Sequence, residues 1–300
     1  MSKNEIIEIL KDWNFWNKPL DCGITRPEYL SRIRAFLESR QVISITGCRR
    51  SGKSYLMRQA AADLIKSGVD SRKILMVNFE DPRFIKLDAR LLQDIYEAYA
   101  EYMPVGSNPY IFLDEIQEVE GWERWVRTFH ELKKAKICIS GSNAKLLSHE
   151  LGTVLTGRHL DLTVFPLSFK EFLSFRELLS ANAAALREYL EIGGFPEAVS
   201  SAHRQEILLS YFEDILNKDL LRRFRVRKPE QLKSLAKYYL SNNSSQITFN
   251  SFEKSFEISA NTAEKFSGYL EDAYLVLFLK RFSFKVKVQE KSPRKAYCID

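Results

Sequence analysis

The residues best equipped for chemistry stand at 47 to 54, Gly-Cys-Arg-Arg-Ser-Gly-Lys-Ser, directly after the β-branched run Val42-Ile43-Ser44-Ile45-Thr46 and directly before a helical pattern. Two glycines at this spacing let successive backbone N–H groups converge on phosphate oxygens, so Gly47, Cys48, Arg49, Arg50, Ser51 and Gly52 would form a cradle. Lys53 would reach the β and γ phosphates and Ser54 would offer its hydroxyl to Mg²⁺, with Tyr55 closing the nucleotide-binding stretch. The helix that starts near Lys53 also points the positive end of its dipole at the anion. Arg49 and Arg50 either steer the polyphosphate or are solvated or salt-bridged, and Cys48 reads as a tolerated variable position.

A second constellation lies about 60 residues further on, where Tyr110-Ile111-Phe112-Leu113-Asp114-Glu115 is an apolar strand ending in two carboxylates. This strand is expected beside the loop's own strand in the sheet. Asp114 could hold Mg²⁺ directly or through water, and Glu115 could orient and deprotonate an attacking water. A strand ending in Asp-Glu is common by itself; it gains meaning from the phosphate loop upstream. Another acidic pair, Glu80 and Asp81, ends the preceding strand, a position usually remote from the γ phosphate, and takes a structural reading.

The elements that must position these residues alternate. Strands are expected at Val42 to Thr46, Ile74 to Phe79, Tyr110 to Leu113, Ile137 to Ser140 and His159 to Val164. Helices fall between them at Lys53 to Lys66, Leu91 to Tyr102, Trp122 to Lys133 and, briefly, from Asn143. Such βα units predict an α/β fold with a mostly parallel sheet and helices on both faces. After Pro166 the pattern turns helical to about Arg227, with a stop and restart at Gly193-Gly194-Phe195-Pro196, which suggests a lid over the nucleotide. From Gln231 three short helices precede the apolar alternating run Tyr274 to Val288, the order of a winged helix-turn-helix. The expected organisation is an N-terminal arm at 1–25, a P-loop core at 26–168, a helical lid at 169–228 and a winged helix-like module at 229–300.

The chain has 300 residues, 45% of them hydrophobic and 28% charged, enough for two or three modules that each bury a core. No apolar run approaches a membrane span, and the start lacks the tripartite pattern of a signal peptide, so a cytoplasmic location is expected. The four cysteines, Cys22, Cys48, Cys138 and Cys298, form no CxxC pair and indicate neither a zinc site nor a disulfide framework. The net charge of +6 is concentrated late: 17 Lys/Arg stand against 12 Asp/Glu from residue 205 onward, and 28 against 27 before it. That asymmetry fits a nucleic-acid-facing module or an ordinary solvated surface equally.

Taken together, these blocks resemble the archaeal-type ATPases of the AAA+ superfamily, related to the signal-transduction NTPases with numerous domains. Further blocks join the two nucleotide motifs: Val77-Asn78-Phe79-Glu80-Asp81-Pro82, Ile116-Gln117 with Gly121-Trp122-Glu123, Ser140-Gly141-Ser142, Leu155-Thr156-Gly157-Arg158, Pro166-Leu167-Ser168-Phe169 with Glu171-Phe172, and Gly193-Gly194-Phe195-Pro196-Glu197. The resemblance implies ATP with Mg²⁺ and a polar sensor of the γ phosphate at Ser142 or Asn143. It implies that Arg158 either completes a neighbouring subunit's site in a homo-oligomer or reports on the chain's own γ phosphate; a surface Arg after a turn glycine is the plain alternative. Pro196 is similar to a lid proline packed near the base or ribose, although Gly-Phe-Pro is also an ordinary helix-breaking turn. Arg26, in Ile24-Thr25-Arg26-Pro27-Glu28-Tyr29, resembles part of a segment that frames the adenine, and is otherwise an exposed Arg at a helix start.

In the C-terminal module, Asn261 and Glu264 have the spacing of an N-terminal capping pair. Asn261, Thr262 and Lys265 suit a helix start facing double-stranded DNA, although winged helices also bind proteins. The run Arg222-Arg223-Phe224-Arg225-Val226-Arg227-Lys228 offers phosphate contacts, a trans-acting arginine or a solvated linker face. In the resembled family the pattern at Lys295-Ala296-Tyr297-Cys298-Ile299-Asp300 leads into a nuclease-like domain, and no nuclease activity is carried to these residues. The sequence thus supports an ATPase that moves a DNA-facing module, with a slow nucleotide-dependent switch recruiting a protein partner in signalling or defence as the alternative.

Overall fold

Successive side chains of a strand point to opposite faces of its sheet, and in the central strands here both sets are buried. On β3 (Tyr110–Asp114), Ile111 and Leu113 join one hydrophobic layer and Phe112 joins the other. A parallel sheet sandwiched by helices follows from that pattern. The computed structural model describes residues 1–103, 106, 108–142 and 157–300, with the side chains of 254 and 255 set aside. These residues form two compact units, Met1–Gly47 with Gly52–Val164, and Cys48–Ser51 with Phe165–Asp300.

The first unit is a five-stranded sheet in the order β2-β3-β4-β1-β5, with β1 at Val42–Thr46, β2 at Ile74–Asn78, β4 at Lys136–Gly141 and β5 at His159–Thr163. All of its pairings are parallel. One face carries α1 (Lys3–Trp13), α4 (Ala89–Tyr102) and α5 (Trp122–Glu131); the other carries α2 (Pro27–Glu38) and α3 (Lys53–Lys66). The expectation that the Asp-Glu strand lies beside the loop's strand is corrected. β4 intervenes, pairing with β1 through Ile43↔Cys138 and with β3 through Phe112↔Cys138. Neighbour order among parallel strands depends on how the crossovers run, which no strand's own residues record.

The first helix is secured by a capping box, with Ser2 and Glu5 each receiving the other's backbone N–H. Just after it, Asn14 uses its amide as a substitute strand, donating to the Met76 carbonyl at 2.8 Å and accepting the Met76 N–H at 2.7 Å. Trp16 donates from Nε1 to the Ile74 carbonyl at 2.8 Å. These bonds cover the open edge of β2, which would otherwise present unpaired backbone groups.

In the second unit, α6 (Phe169–Phe175), α7 (Ala183–Ile192), α8 (Pro196–Ser200) and α9 (Arg204–Asp214) lead into a π-helical stretch, Ile215–Arg222. Then come α10 (Pro229–Ser241), β6 (Gln246–Ile247), α11 (Ser251–Phe256), α12 (Ala260–Asp272), β7 (Val276–Lys280), α13 (Val286–Lys291) and β8 (Arg294–Cys298). The three strands pair antiparallel in the order β6-β8-β7.

Two expectations here are corrected. The alternating run from Tyr274 is a strand only as far as Lys280, and Val286 to Val288 are helical. Its apolar side chains Phe282, Phe284 and Val286 are 70 to 94% exposed, so no buried face sustains a strand there. The partner of β7 is instead Arg294–Cys298. The cap of α12 is Ser259, which accepts the Thr262 N–H at 3.4 Å, because the helix starts at Ala260 and leaves Asn261 inside its first turn. Among the described residues, no helix is long and apolar enough to cross a membrane.

Candidate nucleotide site

β1 ends at Thr46, and the next residue must bend sharply while another strand's end crowds it. Gly47 has φ +145, and a Cβ there would come within 2.1 Å of the Val164 carbonyl oxygen. Only glycine fits. Gly52, at φ +97, starts α3 without a side-chain cap, leaving the first N–H groups of the helix available to an anion. Lys53 is buried, its Nζ donating to the Gly47 carbonyl at 3.1 Å and standing 3.9 Å from Oε1 of Glu115. Its ammonium thus spans the mouth of the loop and the acidic pair.

Asp114 ends β3 and Glu115 follows it, both buried. The hydroxyl of Ser140, on β4, donates to Oδ1 of Asp114 and accepts the Glu115 N–H at 3.1 Å. Ser54 and Asp114 line one small cavity. Burial, and then the charge of Glu115, push the Asp114 carboxyl above its ordinary range; Ser140, Ser54 and Lys53 pull against them. Among the described residues of this unit, the two carboxylates face one ammonium, that of Lys53. A carboxylate and a hydroxyl are oxygen ligands of the kind Mg²⁺ prefers, and such ions typically take few protein ligands and complete their shell with water and phosphate. Among the described residues no group of three or more His, Cys, Asp or Glu could hold a metal, so the donor set fits an ion that arrives with phosphates better than a protein-only cage.

The segment before the loop is bound to α3. Gln59 donates to the Cys22 and Ile24 carbonyls, both at 2.9 Å, and accepts the Arg26 N–H at 3.1 Å. Tyr55 of α3 lies against Gly23, where an added Cβ would meet its ring at 2.9 Å. Arg26 is buried, not exposed as a helix-start arginine would ordinarily be, and its guanidinium lies 4.4 Å from the Tyr29 ring centre. Ser142 follows β4 and is buried; Asn143, Leu155 and Thr156 lie outside the described residues.

Arg158 is not brought to its own chain's loop. Its carbonyl accepts the Val42 N–H at the start of β1, and the loop leaves the other end of that strand, roughly 13 Å away at about 3.3 Å per residue. Its guanidinium pairs with Glu131 at 2.7 Å, an ion pair that also includes Arg127.

Within the second unit, Arg49 forms a nearly buried ion pair with Asp219 of the π-helical stretch at 3.0 Å, and Arg50 lies 5.4 Å from the Tyr211 ring centre. Cys48 and Ser51 are buried. Pro196 opens α8 after Gly193 and Gly194; the Gly194 N–H donates to both carboxylate oxygens of Asp300, at 2.7 and 2.8 Å. Asn261 and Lys265 are exposed on α12, with the Lys265 ammonium 5.8 Å from the Tyr269 ring centre and Thr262 half-buried.

The sequence reading missed Ser140, Gln59 and Gln117. Ser140 stood inside a recognised block, but its role depends on β4 lying beside β3. Gln117 too stood inside a recognised block, but its tie to Glu115 depends on the bend after β3; Gln59 carries no motif signal of its own.

A parallel sheet flanked by helices, with a phosphate-binding loop after one strand and an acidic pair after another, defines the class of P-loop NTPases. A family model described as an AAA domain matches residues 39–173, and one described as a domain of unknown function matches residues 183–300. An uncharacterized protein of Haemophilus influenzae is 34% identical over 290 residues, spanning 92% of this chain and 72% of that protein. An uncharacterized protein of Methanocaldococcus jannaschii is 31% identical over 274 residues, spanning 85% of this chain and 60% of the archaeal one. A Walker-type ATPase of Pyrococcus abyssi shares the fold, with a TM-score of 0.60 over 96% of this chain and 97% of that one, at 14% identity. The chain belongs to the AAA+ P-loop ATPases, in one family with the Haemophilus protein.

Proposed function

We propose that this protein binds ATP with Mg²⁺ and hydrolyses it, coupling turnover to movement of its C-terminal module in a DNA-related process. The observation that carries the reading is the convergence of Lys53, Ser54, Asp114 and Glu115 at the ends of two strands, held by Ser140 between them. In this reading the loop amides and Lys53 bind the β and γ phosphates, and Ser54 and Asp114 would hold the metal. Mg²⁺, when bound, supplies neutralising charge to those phosphates. Glu115 takes the proton of the attacking water, and Ser142 or Asn143 orients that water toward the γ phosphate. Arg26 and Tyr55 frame the adenine, Pro196 contacts base or ribose, and the helices at 169–228 serve as lid.

Arg158 is proposed to act on a neighbouring copy's nucleotide. Its position at the entry end of β5, away from its own loop, favours action in trans over action in cis. A winged helix is supported by three helices with a three-stranded antiparallel sheet whose first strand falls between the first two helices. Asn261, Thr262 and Lys265 would then approach the DNA. The test is ATP turnover with and without double-stranded DNA, for the wild type and Glu115→Gln. This reading expects wild-type turnover that rises with duplex and is lost in the variant; turnover indifferent to duplex removes the DNA half of it.

A second reading, a slow nucleotide switch recruiting a protein, is favoured by one observation. Phe282, Phe284, Val286 and Leu279 are 60 to 94% exposed together after β7, an apolar surface of the kind proteins use to bind one another. Very low turnover with nucleotide-dependent assembly is its signature.

A further inference from the structure

We propose that Gln117 is a positioning residue for Glu115, anchoring one oxygen of its carboxylate through the side-chain amide; this rests on the ATP-hydrolysing reading of the site. The chain turns abruptly after β3. Glu115 has φ +53, a left-handed conformation that a side chain adopts only at a cost, and it opens a 3₁₀ turn over Ile116–Glu118. Two bonds hold the bend: the Glu115 N–H to Ser140 Oγ at 3.1 Å, and the Glu118 N–H to the Glu115 carbonyl at 3.1 Å.

The turn folds residue 117 back onto residue 115. Gln117 Nε2 lies 2.5 Å from Oε2 of Glu115. An ionised carboxylate only accepts, so the amide nitrogen must face it. The other oxygen, Oε1, looks toward Lys53 at 3.9 Å, and Asp114 stands next in the chain. Glu115 is therefore gripped at Oε2, leaving Oε1 to take a proton from water.

The same amide is expensive as filler. Its oxygen Oε1 is buried without a hydrogen-bond partner among the described residues. A side chain that merely filled this space would do better without polar atoms. What the amide contributes in return is its one bond, to the candidate base. A base must sit within hydrogen-bond reach of the proton it abstracts, and a carboxylate turning freely on its own side chain spends little time there.

The test compares ATP turnover and equilibrium ATP affinity in the wild type, Gln117→Met, Gln117→Ala, Glu115→Gln and the double variant Glu115→Gln/Gln117→Met. Methionine keeps length and volume but removes the donor. The expected result is kcat lowered about tenfold in Gln117→Met, a fraction of the 10² to 10⁴ that a general base typically supplies. ATP affinity stays within about twofold, and the melting temperature changes little, since the gain from removing an orphaned oxygen is offset by the donor that the buried Glu115 carboxylate loses. Gln117→Ala behaves alike. The double variant turns over no more slowly than Glu115→Gln alone, because the two residues act as one unit.

Unchanged or raised kcat in both Gln117 variants would overturn the inference, as would an equal loss in the presence and absence of Glu115. These outcomes leave the ATPase reading intact provided Glu115→Gln is inactive. A wild type without turnover, or an active Glu115→Gln, overturns both.

Discussion

Two neighbouring strands lead into acidic pairs, Glu80 and Asp81 shortly after β2 and Asp114 and Glu115 at the close of β3, and their carboxylates have opposite fates. After β2, Asp81 receives the Trp13 indole N–H at 2.8 Å and an Arg83 guanidinium N–H at 2.7 Å. The Arg83 bonds chiefly hold its carboxyl down at about 2. At the end of β3, Asp114 is as well buried but has Glu115 as neighbour and one lysine between them, and its carboxyl is pushed up. The residue types are nearly the same. A carboxylate gripped at hydrogen-bond distance by a guanidinium and an indole N–H is a fastener; a buried pair whose lysine stands 3.9 Å off is a place for a cation and a phosphate to come.

The comparison breaks most visibly at Glu115. Glu115→Gln is expected to lower ATP turnover by about 10² to 10⁴ while retaining ATP binding, measured by steady-state hydrolysis and equilibrium titration. Lys53→Ala is expected to lose ATP binding itself, by at least about tenfold in titration, since a buried ammonium beside the loop is removed.

Asp114→Asn sharpens the contrast because its two effects run in opposite directions. Turnover falls with Glu115-like severity, yet the nucleotide-free protein melts higher. The raised carboxyl means that ionised Asp114 destabilises the fold at neutral pH, a penalty that fades as pH falls and the group protonates. A lower melting point for Asp114→Asn at pH 7 would contradict that sign.

Asp81→Asn should leave turnover unchanged and reduce stability. A shift from 3.8 to about 2 is nominally about 2 kcal/mol, and the half-exposed Arg83 leaves about 1 kcal/mol after screening. Because the folded pKa is depressed, this stability is present above the unfolded value near 4 and is lost as pH falls toward 2. Denaturant melts of wild type and variant should therefore converge over that window. The exposed Glu80 marks the floor of the comparison: Glu80→Gln should change stability by less than about 0.5 kcal/mol and turnover not at all.

These differences were only partly legible in the chain. Gly47 to Ser54 and the strand and helix around it lie on one continuous stretch from Val42 to Lys66, and local pattern suffices for such a stretch. The acidic strand could be recognised too, but not its neighbour: β4 separates it from β1, and with β4 comes Ser140, whose hydroxyl donates to the Asp114 carboxylate and accepts the Glu115 backbone N–H. Arg26 looked like a surface residue because its burial appears only on folding, when α2 brings the Tyr29 ring against its guanidinium and Gln59 of α3 accepts its backbone N–H. The alternation from Phe282 to Val288 imitates a strand, but a strand also needs a face to bury and a partner, and β7 finds its partner in Arg294–Cys298. Gln117 is an ordinary polar residue until the left-handed bend at Glu115 returns it to the carboxylate.

The central claim is that Glu115 and Lys53 belong to one hydrolytic site on Asp114's strand and the phosphate loop. The direct measurement is Mg²⁺-dependent ATP turnover of Glu115→Gln beside the wild type, with ATP affinity determined on the same samples. Hydrolysis lost with affinity retained within about threefold is the result this account predicts. Wild-type hydrolysis in Glu115→Gln, with ATP bound as before, would contradict it.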